Sequence, residues 1–151
     1  MITSSVPKKG AKRMHETIRV GELSITFLKT RHETNNALEM YEMTLPPASS
    51  VPVPHIHRDY DEIVLGMNGV TTWTMEDEVT ELYPGGRIMI PRGTPHFFAN
   101  LHETTARVIF LQTPGVMGPE YFKEIAQHFS SDVPDMAAIG EVMNRYGITP
   151  V

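Results

Sequence analysis

One run, residues 54–69, constrains the fold more than any other part of the chain. His55 and His57 are two residues apart, so in a β-strand both side chains face the same way. Glu62 follows five residues later, an odd step that breaks the alternation and requires a turn or bulge at 58–61. That turn would bring Glu62 back beside the histidines from a second strand. Two nitrogens and one oxygen converging from paired strands favour a divalent metal site.

A second run, residues 84–100, offers a fourth ligand. A short apolar strand over 87–90 is followed by a turn rich in proline and glycine, which delivers His96 at the start of the next strand. Three imidazoles and one carboxylate would leave two positions of an octahedron open. Such a set suits Fe, Mn, Ni, Cu, Co or Zn in the divalent state, and affinity alone does not choose among them.

Both runs resemble the two motifs of the cupin superfamily. His55, His57, Glu62 and Gly69 fall on the spacing of the first motif, and the second motif is matched by five residues: Gly85, Pro91, Gly93, His96 and Asn100. Fifteen residues separate Gly69 from Gly85, which is similar to the short spacing of small single-domain bacterial cupins. The glycine expected six residues before the first histidine is Ser49, a departure at a turn position that leaves the ligands unchanged.

The resemblance implies a mainly β protein with the double-stranded β-helix, or jelly-roll barrel, of cupins. Independent of it, many short apolar stretches separated by turn signals every 8–12 residues predict a sandwich or closed barrel. We expect strands over 17–28, 37–45, 63–67, 70–75, 79–83, 87–90, 96–100 and 105–112. Residues 46–54, with four prolines, predict an irregular connection, and Asn68-Gly69 predicts a tight hairpin.

The chain is expected to divide into three parts. Residues 1–14 form a basic arm, 15–116 the cupin barrel, and 117–151 a helical extension of the same domain. Pro119 follows Gly118 at a first helical position, and a second helix is predicted from Pro134 to Gly147. We expect both helices to pack outside the barrel, where they cover an edge or one mouth.

The function implied by the resemblance is that of a quercetinase-like dioxygenase, which acts on a small oxygenated molecule through its metal. His55, His57, Glu62 and His96 are the expected ligands, and Glu62 is the candidate general base. The substrate pocket is predicted to include Tyr60, Trp73, Met75 and Phe98. Two alternatives stay open: a metal-dependent isomerase or hydrolase, and a non-catalytic metallo-cupin that binds a small metabolite.

The composition of the chain argues against some classes of binding partner. Four of the thirteen basic residues lie in 1–14, so the remainder carries nine basic against eighteen acidic residues, which argues against nucleic acid. No apolar run reaches the ~18 residues of a membrane span, and the N-terminus lacks the apolar stretch of a secretory signal. With no cysteine, any metal must be held by nitrogen and oxygen. We expect a cytoplasmic homodimer, and a monomer at micromolar concentration in a sizing experiment would contradict the dimer.

Overall fold

The computed structural model describes residues 15–130 and 132–151, so the predicted basic arm over 1–14 lies outside the described residues. Eleven strands and two α-helices make up this part of the chain. The strands are β1 (Thr17–Val20), β2 (Leu23–Lys29), β3 (Glu39–Leu45), β4 (Ser50–His57), β5 (Asp61–Asn68), β6 (Thr71–Met75), β7 (Glu78–Leu82), β8 (Arg87–Ile90), β9 (His96–Ala99), β10 (Ala106–Thr113) and β11 (Ile148–Pro150). The helices are α1 (Gly118–Gln127) and α2 (Met136–Arg145), and one 3-10 turn covers Arg31–Thr34.

The strands form two antiparallel sheets that face each other as a jelly-roll barrel. One sheet has the order β1-β2-β3-β10-β5-β8 and the other β11-β4-β9-β6-β7. Inward and outward residues alternate along the strands, as in β10, where Val108, Phe110 and Gln112 are buried and Arg107 is exposed. The inward apolar side chains of both sheets form a single core. The predicted mainly β, jelly-roll fold is therefore confirmed.

Four local predictions need correction. Asn68-Gly69 does not close a hairpin: β5 pairs with β10 and β8, while β6 pairs with β7 and β9, so this turn carries the chain from one sheet to the other. Gly69 has φ +63, and an added Cβ there would lie 2.7 Å from the Thr105 carbonyl oxygen, which explains the glycine. The irregular connection is shorter than predicted, because β4 begins at Ser50 despite its prolines.

The other two corrections concern the C-terminal part. The second helix begins at Met136, two residues after Pro134, because the Asp135 side chain caps it by accepting the Ala138 N–H at 3.1 Å. After Gly147 the chain forms β11, which the sequence did not predict and which pairs with β4 beside His55 and His57. Both helices pack on outer strands, α1 against β1 and α2 against β11. None of the described helices is long and apolar enough to span a membrane.

Candidate metal centre

The three motif histidines come from two neighbouring strands. His55 and His57 alternate with an outward residue in β4, and His96 begins β9, directly opposite His55 in the register. All three are buried, and one ligand nitrogen from each lies within 4.8 Å of the other two. The structure thus brings His55, His57 and His96 together in the arrangement that the spacing predicts.

Backbone carbonyls fix the orientation of two of the rings. The Nδ1 of His55 lies 2.8 Å from the Val53 oxygen, and the Nδ1 of His96 lies 2.9 Å from the Thr94 oxygen. Because a carbonyl oxygen only accepts, each Nδ1 carries the proton and each Nε2 keeps a free lone pair. His57 is held differently, by stacking on Tyr60 with the ring centroids 4.5 Å apart.

Glu62 faces the same space from β5. Its Oε2 lies 3.7 Å from the Nε2 of His96 and 3.9 Å from the Nδ1 of His57, and its Oε1 accepts a hydrogen bond of 2.6 Å from the Nε2 of Gln112. Gln112 also donates to the hydroxyl of Tyr41 at 3.1 Å. The carboxyl group is therefore anchored on one oxygen and turned towards the imidazoles with the other.

Burial sets the protonation of the site. Burial lowers the pKa of His55, and burial with the neighbouring imidazoles holds the pKa of His57 well below its ordinary value. Burial and His55 lower the pKa of His96 to about 4. For Glu62, burial raises the pKa to about 8, against the opposing hydrogen bond from Gln112. The imidazoles are accordingly neutral at pH 7, the form that binds metals.

The donor set fits a divalent metal. The Nδ1 of His57 and the Nε2 of His96 are buried and have no hydrogen-bond partner among the described residues. Buried polar atoms in proteins are normally paired, so the two unpaired nitrogens turned towards one carboxyl oxygen form a donor set that a divalent cation would satisfy.

The ligand-bearing turns are tied to each other. The backbone N–H of Gly93 donates to the His57 carbonyl at 2.8 Å, and Arg92 pairs with Asp61 at 3.1 Å. Asn100, the last residue of the second motif, is fully buried and donates to the carbonyls of Leu45 and Thr104 at 3.0 and 2.8 Å. These bonds hold the loops around the site and leave Arg92 engaged with a carboxylate.

A cavity of about 530 Å³ opens onto the site. Most of its wall is apolar, with the barrel contributing side chains such as Ile25, Met43, Phe98 and Phe110 and the helices contributing Phe122, Ile125, Ile139 and Met143. The three histidines, Glu62 and Gln112 belong to the same lining. This volume lies within the range of small-molecule sites, roughly 300–1,000 Å³. We call it the central cavity.

Of the four predicted pocket residues, one lines the central cavity and three do not. Phe98 lines the central cavity, whereas Tyr60, Trp73 and Met75 are not among the residues of its wall. Trp73 lies behind Phe98, stacked on it at 4.3 Å, and Tyr60 lies behind His57. Period-two alternation indicates which residues point inward, but it does not separate the first layer around a cavity from the layer behind it.

Sequence reasoning missed Gln112, Tyr41 and the two helices as parts of the site. Gln112 could have been found from the sequence, because it is a polar residue that continues the inward-facing series of Val108 and Phe110 in β10. The helical wall had no comparable signal, since apolar helix faces pack equally well on a closed core.

Comparison with known proteins agrees with the fold. Residues 41–112 match the family model described as a cupin domain. No curated protein is significantly similar to the chain in sequence.

Three similar solved structures illustrate the fold. KdgF from Halomonas sp. is 22% identical, with a TM-score of 0.57, covering 68% of this chain and 88% of that one. A sugar phosphate isomerase of the cupin superfamily from Silicibacter pomeroyi is 18% identical, with a TM-score of 0.55, covering 69% and 71%. The cupin domain of an XRE family transcriptional regulator from Enterobacter cloacae is 17% identical, with a TM-score of 0.53, covering 60% and 95%. The family model thus matches just under half of the chain, and the solved structures share its fold.

Proposed function

We propose that this protein is a divalent-metal-dependent cupin enzyme that acts on a small, mainly apolar organic molecule with oxygen substituents. One observation carries the proposal: three buried, neutral imidazoles and a carboxyl group converge at the wall of an apolar cavity large enough for such a molecule. His55, His57 and His96 would hold the metal, with Glu62 as the fourth ligand. The metal would supply Lewis acidity or, if redox-active, an electron path between substrate and dioxygen.

The remaining chemistry belongs to side chains of this chain. Glu62 is the candidate to take a proton from the substrate, because its carboxyl group faces the imidazoles from the wall of the central cavity. Its Oε1 is held by Gln112, so Oε2 is the oxygen that would bind the metal, and it would accept that proton only after leaving the metal. The apolar wall excludes water from the reacting group and strengthens the polar contacts that remain.

Among reactions, we propose a quercetinase-like oxygenation of a flavonol, catechol or diketone as the first to test. The ionisable side chains of the central cavity are three histidines, two tyrosines, Glu22 and Glu62. This lining supports an uncharged substrate over a phosphate ester, which would need cationic partners. The isomerase alternative therefore applies to an uncharged carbonyl compound rather than to a sugar phosphate.

The likeness to a regulator's cupin domain keeps a non-catalytic, ligand-binding role as the second candidate. A screen for turnover distinguishes the enzyme from the non-catalytic binding protein. Protein reconstituted in turn with Fe, Mn, Ni, Cu, Co and Zn is screened for oxygen uptake, and for isomerisation without oxygen, with flavonols, catechols and diketones.

We expect turnover with at least one metal and a loss of about 10²-fold or more in Glu62→Gln. Metal content is measured in each variant. Glu42→Gln is the matched control, because Glu42 pairs with Arg107 on the outer face of the barrel at 3.2 Å. Tight binding of these compounds without turnover under any metal would contradict the enzyme and favour the binding role.

A further inference from the structure

We infer that the side-chain oxygen of Gln112 accepts a hydrogen bond from a hydroxyl group of the ligand. The central cavity would then select apolar molecules that carry an uncharged hydroxyl beside the group facing the imidazoles. The inference deepens the proposed function and rests on it only for the identity of the cavity as the binding site.

Gln112 is placed by the barrel itself. It is the inward residue before the end of β10, it is 0% exposed, and it pairs in register with Glu62 of β5. The same register puts Phe110 and Val108 on the inner face below it, both apolar. A glutamine in this series costs desolvation of its amide unless the amide finds partners.

The nitrogen of this amide is fully engaged. It donates to the Oε1 of Glu62 at 2.6 Å and to the hydroxyl of Tyr41 at 3.1 Å, which uses both of its N–H groups. Tyr41 is itself immobilised by stacking on Phe110, with the ring centroids 4.8 Å apart. The amide plane is thereby fixed, and with it the direction of the oxygen.

The oxygen of the amide is free. It is buried and has no hydrogen-bond partner among the described residues, although Gln112 belongs to the wall of the central cavity. Buried amide oxygens are rarely unpaired, and the neighbouring wall offers mostly carbon. A donor from a molecule in the cavity would satisfy this acceptor.

This acceptor restricts the chemistry of the ligand. A carbonyl or carboxylate group would oppose the oxygen of Gln112, whereas a hydroxyl group would donate to it. A site with a fixed, buried acceptor discriminates strongly against analogues that lack the donor, because the acceptor is then left unpaired. The apolar wall selects the carbon skeleton, and Gln112 selects the hydroxyl.

The test compares two ligands that differ in one hydroxyl group, 3-hydroxyflavone and flavone. Dissociation constants are measured by calorimetry with metal-free protein, because Zn would chelate the 3-hydroxyl and 4-carbonyl groups of 3-hydroxyflavone, and Zn uptake is measured separately for every variant. Trp73 fluorescence reports that the probes enter the central cavity, because Trp73 stacks on the cavity residue Phe98.

In the wild-type protein we expect 3-hydroxyflavone to bind about tenfold more tightly than flavone, the effect of one neutral hydrogen bond. Gln112→Met, similar in length but without the amide, should abolish this preference while one equivalent of Zn is retained. Tyr41→Phe should weaken the preference, because it frees one side of the amide. Met89→Leu, an apolar change at a half-exposed residue outside the cavity wall, is the control and should leave it intact.

An equal hydroxyl preference in wild type and in both Gln112→Met and Tyr41→Phe would overturn the inference, because the hydroxyl would then act through another partner. No preference in the wild type would also overturn it. If Gln112→Met does not fold, Tyr41→Phe decides. Failure of the proposed function is separate: it would appear as wild-type protein that takes up no Zn, whereas the ligand comparison on metal-free protein decides the role of Gln112 in either case.

Discussion

At the scale of single residues, the three histidines depend on different supports. His55 and His96 are oriented by hydrogen bonds to backbone carbonyls, whereas the ring of His57 stacks on the ring of Tyr60. The hydroxyl of Tyr60 is buried and has no partner among the described residues, so the ring rather than the hydroxyl makes the contribution. Tyr60 therefore supports the expected metal ligand His57. It was predicted to line the substrate pocket, but it lies outside the cavity wall.

We predict that Tyr60→Phe keeps metal affinity and leaves the free energy of unfolding unchanged or higher by up to about 1 kcal/mol, because it removes an unpaired buried hydroxyl. Tyr60→Leu should lower stability by roughly 2–4 kcal/mol and weaken metal binding, because the ring of His57 loses its stacking partner. Urea unfolding and metal titration of the two variants test this. Equal damage in both variants would mean that the hydroxyl has a partner after all.

The ligand residues could be predicted from the sequence, whereas their supports could not. A two-residue step between His55 and His57 has the same meaning in any strand, so their shared direction follows from strand geometry. Glu39 illustrates the limit. A charged residue in a strand is expected on the outer face, yet Glu39 is 0% exposed, because its carboxyl group accepts the backbone N–H groups of Met117 and Gly118. This contact depends on the start of α1, 79 residues away, which no local pattern indicates.

At the scale of elements, Glu39 joins β3 to the start of α1. Burial raises the pKa of Glu39, while the backbone donors of Gly118 and Met117 act in the opposite direction. The folded protein thus binds this proton more tightly than the unfolded chain. The resulting contribution to stability is complete below the ordinary pKa of 4.5 and is lost as the pH rises through the raised value.

We predict that Glu39→Gln removes this pH dependence. Relative to the variant, wild-type protein should lose stability as the pH rises above 4.5, because the raised pKa of Glu39 favours the protonated, folded form at low pH. Glu39→Leu should cost roughly 2–3 kcal/mol, because two buried N–H groups lose their acceptor. Urea unfolding at several pH values measures the differences, and a wild-type advantage that grows with pH would contradict the assignment.

The strand β11 supports the strand that carries two ligands. It pairs with β4 residue by residue, Ile148 with His57 and Pro150 with His55, and further backbone bonds of 2.9 Å join Arg58 to Gly147 and Val151 to Pro54. Both strands contain prolines, which argue against strand pairing, so the pairing of β11 with β4 could not be predicted from the sequence. Pro150 is tolerated because it alternates with the hydrogen-bonded pair of Val151 and Pro54, so its nitrogen points away from β4. The prolines of β4 lie between Val51 and His55, where the pairing of β4 with β9 is interrupted.

We predict that Thr149→Pro lowers the free energy of unfolding by roughly 2–3 kcal/mol and weakens metal affinity, because it interrupts this ladder next to His57. Thr149→Val is the control: it loses only the exposed hydrogen bond between the Thr149 hydroxyl and Arg58 and should stay within about 0.5 kcal/mol of wild type. Metal titration that does not distinguish the two variants would show that β11 is irrelevant to the site.

At the scale of the whole molecule, the fold could be predicted from the sequence more fully than the function of the protein. Short alternating strands predicted a sandwich or closed barrel, because one buried face per strand leaves few ways to close a sheet, and the resemblance of the two motifs to those of cupins implied the jelly roll. The Asn68-Gly69 turn was misassigned because a sheet-to-sheet corner, like a hairpin, can use a glycine with positive φ, as Gly69 does here. The closure of the central cavity by α1 and α2 depends on packing between distant segments, and only the assembled structure reveals it.

The central claim, that the three histidines bind a metal, is tested most directly by elemental analysis of untagged protein combined with thermal unfolding before and after chelation. We predict about one equivalent of a divalent transition metal per chain and a lower melting temperature after chelator treatment. At 100 times the dissociation constant a bound metal would stabilise the fold by about 2.7 kcal/mol. His57→Ala should contain no metal and be indifferent to chelator, whereas the surface variant His102→Ala should behave like wild type. Wild-type protein without metal, whose melting responds neither to chelator nor to any added divalent metal, would contradict the account.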